Sequence, residues 1–85
     1  MDSRRKFIKT LLMELPPIKV EKLLKMIMMP RSHYKVLHGL YVERLHEQEV
    51  ADEILYMSLE TVKRRNTEGL EIIIKSFDDI DPTQI

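Results

Sequence analysis

Apolar residues recur at intervals of three and four through most of the chain, and sustained two-residue alternation is absent. That pattern predicts an all-α fold of about five helices. A first helix is expected from Ser3 to Glu14, with Phe7, Ile8, Leu11, Leu12 and Leu15 on its apolar side and Asp2 or Ser3 as its cap. Pro16-Pro17 ends it, because proline lacks an N–H and disfavours helix in the residue before it. Pro17 is acceptable in the first turn of a second helix reaching Met28, whose apolar set is Val20, Leu23, Leu24, Ile27 and Met28. Pro30 stops that helix, and Ser32 is the expected cap of a third, His33 to Leu45. There Tyr34, Leu37, Tyr41 and Leu45 fall at helical spacing, flanked by Val36, Leu40 and Val42. Gly39 in its middle costs about 1 kcal/mol against alanine, which predicts a closely packed neighbour. A fourth helix, Glu47 to Leu55, should bury Val50, Ala51 and Ile54, and a fifth should begin near Ser58 and reach Phe77. The cluster Met26 to Met29 reads as adaptable core filler, the alternative being a pliable apolar surface for a partner protein.

The chain has 85 residues, enough for one small domain with a modest core and little room for a deep cleft. Within it, residues 1–30 are expected to form an N-terminal helical hairpin with an accessory or interaction role. Residues 31–77 are expected to form a helix-turn-helix unit and residues 78–85 a frayed acidic tail. There is no cysteine, and His33, His38 and His46 are spaced five and eight apart, so zinc ligation is disfavoured and partner-bonded or solvated histidines are expected. No nucleophile–base pair, glycine-rich phosphate loop or unusual carboxylate cluster points to an enzyme or a cofactor. No apolar run reaches the ~18–20 residues of a membrane span, and the basic start "MDSRRKFIKTLLMEL" lacks a signal-peptide cleavage pattern. A soluble cytoplasmic protein without a membrane partner is expected.

Zero net charge conceals an asymmetry. Residues 1–37 carry nine Lys/Arg and three Asp/Glu (9 − 3 = +6), and residues 38–85 carry five and eleven (5 − 11 = −6). Either the two halves dock on one another or they face two partners, one of them anionic.

The most informative stretch runs from Glu47 to Phe77. A DNA-reading helix pair needs a small residue where its helices cross, and Ala51 supplies one. It needs a cap on the second helix, and Ser58 fits. It needs one apolar stripe to hold that helix, and Val62, Gly69, Leu70, Ile73 and Phe77 provide it, with Asn66 on the same side. At roughly 100° per residue, Arg64 points away from Val62, Glu60 and Thr67 lie near it, Thr61 and Lys63 flank it, and Arg65 lies closer to the body. Lys and Arg bond guanine edges or phosphates, Thr touches base or backbone, and Glu accepts from cytosine or favours the helix dipole. In this setting a DNA contact outweighs the plainer reading of Lys63-Arg64-Arg65 as a solvated basic face.

The segment Tyr34 to Ile74 resembles region four of bacterial sigma factors and the sigma-like helix-turn-helix proteins of phages. The matching parts are the tyrosine-containing helix Tyr34 to Leu45, then His46, "QEVA", Ser58 and "TVKRR" leading into Leu70. The same short signature occurs in response-regulator output domains, so it marks DNA binding better than sigma activity. The resemblance covers about half the chain and leaves out residues 1–30. It implies base reading by Leu59, Glu60 and Lys63, and base or phosphate contact by His46, Thr61 and Arg64. Two departures stand out. "ADEILYMS" is one residue longer than the family's turn and lacks its glycine, so either the turn is wider or the first helix extends. Leu59 stands where the family often has a basic residue, and either packs or touches a thymine methyl.

The expected protein is a sequence-specific DNA-binding transcriptional regulator or sigma-like factor, bacterial or phage in type. It would place Ser58, Leu59, Glu60, Thr61, Lys63, Arg64, Arg65 and Thr67, with His46, on double-stranded DNA. A single helix pair makes few contacts, so RNA polymerase or a homodimer partner is a candidate second component. The alternative is an interaction module that uses the same fold to bind RNA polymerase or another regulator.

Overall fold

A computed structural model of the chain describes residues 3–55 and 57–78. Every regular element among them is helical: α1 (Ser3–Glu14), α2 (Pro17–Met26), α3 (Arg31–Leu37), α4 (Glu47–Glu49) and α5 (Leu59–Asp78). Two of these continue in wider π-helical turns, α3 through His38–Val42 and α4 through Val50–Leu55. No helix among the described residues is long and apolar enough to cross a membrane. Asp2, expected as a cap, and residues 79–85, expected as a frayed tail, lie outside the described residues.

The prolines act as their backbone chemistry requires. Pro16 is the N-cap of α2, with Pro17 in the first turn. Pro30 is the N-cap of α3 at φ −57°, and its carbonyl accepts from the Tyr34 N–H at 3.0 Å. Helix α3 therefore starts at Arg31, and Ser32 lies inside its first turn rather than capping it: a proline already holding φ near −60° starts the helix without a side-chain cap. Helix α2 ends at Met26, short of Met28, because Ile27 is extended (φ −100°, ψ 124°).

One core unites the chain. Ile8 and Leu12 of α1 and Val20 and Leu24 of α2 are buried with Val36, Leu37, Leu40 and Tyr41, with Val50 and Ala51, and with Val62, Leu70 and Ile73 of α5. Helix α1 packs on α5, α2 on the π turn after α3, and α3 on α5. The expected N-terminal hairpin thus spreads its two helices over different parts of the remaining fold. Phe7, expected on the buried side of α1, is 66% exposed. The side chain of Ile54 lies outside the described residues, whereas Val50 and Ala51 are buried as their spacing predicts.

Both π turns change what the sequence period implies. A π turn takes in one residue more than an α turn. In the second, the helix after α4 widens over Val50–Leu55, with the Met57 N–H bonded to the Ala51 carbonyl at 3.1 Å. In the first, the Glu43 N–H reaches His38 and the Leu45 N–H reaches Gly39, each at 3.0 Å, and Gly39 is buried within the turn.

Arg44 follows at φ +60°, a left-handed conformation unusual for a residue with a side chain. Its guanidinium donates to the carbonyls of Met13 at 2.6 Å and Leu15 at 2.7 Å, satisfying acceptors that the end of α1 leaves open. Arg44→Ala loses these bonds and keeps the strained backbone, so it should lower stability by about 1–2 kcal/mol. Arg44→Gly relieves the backbone and should lose less. Urea denaturation of the two variants checks the order.

Two histidines tie elements together through carboxylates. His38 Nε2 lies 3.0 Å from Glu21 of α2, and its Nδ1 lies 3.7 Å from Glu43. The hydrogen bond from His38, helped by Lys25, holds the Glu21 carboxyl below its usual 4.5. A lowered native value means the ionised form favours folding above that pH, and the contribution disappears as pH falls through the native value. Acid titration of stability should therefore fall more steeply below about 4.5 for the wild type than for Glu21→Gln.

Candidate nucleic-acid interface

Helix α5 carries the candidate site, and its start is set locally. The Ser58 Oγ accepts from the Thr61 N–H at 3.2 Å and lies 2.8 Å from the Thr61 hydroxyl. The Val62 N–H bonds the Ser58 carbonyl at 3.1 Å. Ser58 therefore caps α5, satisfying one of the donors a helix start leaves open.

From that start the apolar stripe runs inward. Val62 and Ile73 are fully buried, Gly69 and Leu70 are buried and Phe77 is half-buried. Asn66 on the same side accepts a hydrogen bond from the Tyr41 hydroxyl at 2.7 Å. Burial pushes the Tyr41 phenol up to about 12, so it remains a neutral donor to Asn66. This polar link fixes the rotation of α5 against the π turn, and with it the direction in which the opposite face points.

On that opposite face Glu60, Lys63 and Arg64 are exposed, with Ser58 beside them at the helix start. Leu59, Thr61 and Thr67 are half-buried at its margins. Arg65 is turned toward the body, its Nη1 3.5 Å from Glu68. The same Glu68 oxygen lies 3.2 Å from Nε2 of His33, a buried residue of α3. Glu60, Lys63 and Arg64 thus share one solvent-facing surface, with Ser58 exposed at the cap, while Arg65 is part of the α3–α5 seam.

His46 is exposed and stands at the N-cap of α4, where its N–H donates to Glu49 Oε1 at 3.1 Å. It borders a shallow groove also lined by Lys9 of α1, Arg44, Tyr41 and Asn66. Lys9 and Arg44 were not singled out from the sequence. Arg44 comes from the loop that follows the π turn, next to His46, and Lys9 comes from α1, which packs against α5. The segment from Glu47 to Leu55 is acidic instead, its sequence holding Glu47, Glu49, Asp52 and Glu53 and no Lys or Arg. Among the described residues no group of His, Asp or Glu is arranged to hold a metal ion.

Compared with family models, curated proteins and solved structures, the chain matches none.

Proposed function

We propose that this protein binds double-stranded DNA, laying the solvent-facing side of α5 in the major groove. The observation that carries the reading is the division of α5: a capped, tightly held helix whose buried stripe centres on Val62 and whose outer face presents Glu60, Lys63 and Arg64 together. Lys63 and Arg64 can donate to guanine edges or phosphates, and Glu60 can accept from a cytosine amino group. Lys9 and His46 at the neighbouring groove, which Glu47 also lines, would give a flanking phosphate strand further contacts. The sigma-like resemblance of Tyr34 to Ile74 points the same way and makes transcriptional regulation the natural setting, with RNA polymerase or a second copy of the chain as the additional partner.

Selection from a random duplex library, followed by affinity measurements across a salt series, tests the proposal. A recovered consensus bound with an affinity that falls as salt rises is the expected result. Failure to enrich any duplex, or binding indifferent to salt, refutes it. A palindromic consensus would point to a dimer and a single half-site to a larger complex.

One observation favours a second reading. The acidic side chains of Glu47, Glu49 and Asp52 would repel phosphates and suit contact with a basic protein surface. On that reading the fold is an interaction module for RNA polymerase or another regulator, and partner capture survives charge reversal at Lys63 and Arg64.

A further inference from the structure

The junction of α2 and α3 exposes apolar surface that the core does not use. Four consecutive residues, Met26 to Met29, lie where α2 ends and the chain turns at Pro30. Met26 is 81% exposed and Met28 95% exposed, while Ile27 and Met29 pack against the core, so the cluster serves as core filler only in part. Beside it a groove is lined by Leu24, Ile27, Met28, Met29 and Tyr34, with Lys25 and Arg31 at its edges. Leu24 is fully buried beneath, which makes the floor part of the rigid core, while unbranched thioether chains at the rim can re-pack around an incoming group.

The two charged side chains that line this groove, Lys25 and Arg31, are both cationic, and the surrounding sequence is basic. Between Pro16 and Leu37 the chain has five cations, Lys19, Lys22, Lys25, Arg31 and Lys35, against the single acid Glu21. Glu21 is already engaged by His38 at 3.0 Å and Lys25 at 3.4 Å. Arg31 is exposed and makes no ion pair among the described residues, while the exposed Lys25 keeps further donors beyond its one bond to Glu21. An apolar floor asks for apolar side chains, and a cationic rim asks for carboxylates beside them. A nucleic-acid backbone would meet the rim but leave Met28 and Ile27 uncovered.

We propose that the α2–α3 groove docks an acidic amphipathic helix of a partner protein, whose apolar stripe covers Ile27, Met28, Met29 and Tyr34 while its carboxylates meet Lys25 and Arg31. Helix-in-groove recognition has this form, with anchors at i, i+3, i+4 and i+7. The site stands apart from the outer face of α5 and does not depend on the DNA reading.

Methionine-methyl NMR on the full chain tests it, using two synthetic helical peptides with leucine at those anchor positions and either glutamate or lysine elsewhere. The glutamate peptide should shift the Met28 and Met29 methyl signals, leave Met13 and Met57 in place, and bind more weakly as salt rises. Met28→Asp and Arg31→Glu should each weaken it about tenfold or more, and both positions are exposed, so the fold should persist. The proposal is overturned by any of four results: equal response to both peptides, no response at Met28 and Met29, shifts there produced by raising the protein concentration alone, or shifts there produced by duplex DNA but not by the glutamate peptide.

Discussion

Turning both Lys63 and Arg64 to glutamate should weaken binding to a selected duplex by at least about a hundredfold. Each direct contact of this kind is worth about 1–3 kcal/mol, and about 1.4 kcal/mol is a factor of ten. Removing two donors and placing two carboxylates against phosphate exceeds the loss from simple truncation. The slope of log affinity against log salt should fall by about two, because two fewer phosphate or base-edge cations displace counterions. Both side chains are exposed and face away from Val62, so thermal unfolding followed by circular dichroism should be little changed. Glu60→Gln provides the complement. If Glu60 accepts from a cytosine, its loss should relax preference at one base pair and leave the salt slope intact. Unchanged duplex affinity in the double reversal refutes the placement of α5 in the groove.

The largest stability effects are expected where α3 meets α5. A methyl group built on Gly69 would lie 2.7 Å from Leu37 Cδ1, 3.0 Å from its Cγ and 3.2 Å from its Cδ2. Leu37 is fully buried, so its side chain has little room to retreat. In an open helix Gly→Ala gains about 1 kcal/mol. Here the overlap, at about 1–3 kcal/mol for overpacking, should outweigh that gain and make Gly69→Ala destabilising. Leu37→Ala should cost about 2–5 kcal/mol from lost burial and the cavity left behind, against a total stability of roughly 4–13 kcal/mol for a domain of this size. The decisive measurement is the double variant. With Leu37 shortened, the methyl of Gly69→Ala enters vacated space, and the substitution should become stabilising. A Gly69→Ala effect of the same sign and size in both backgrounds would show that the two residues do not share this seam.

These two sites differ in how far they could be read from the chain. The outer face of α5 was legible because it depends on local quantities: the spacing of Val62, Leu70 and Ile73, and the short-range bond from the Ser58 hydroxyl to the Thr61 N–H. The Gly69 position was legible as part of a stripe, but its reason was not. A close approach was expected at Gly39, and the structure has one that joins Gly69 to Leu37, thirty-two positions earlier in the sequence (69 − 37 = 32). Arg65 shows the same limit. Its angle on the helix placed it toward the body, but only the fold revealed Glu68 and the buried His33 waiting there.

By itself, the sequence determined the all-helical class, the proline breaks before α2 and α3, the cap at Ser58, and which side of α5 is apolar. All of these follow from interactions within a few residues of one another, where period and backbone chemistry suffice. The tertiary structure decided what covers each face. It spread α1 and α2 over different parts of one core, widened two helices into π turns, and drew Lys9 of α1 to the groove beside His46. It also left Met28 in solvent, though its spacing made it a candidate for the core. A helical period marks a residue as apolar-facing, but burial requires a second surface to arrive there, and that depends on packing between segments distant in the chain.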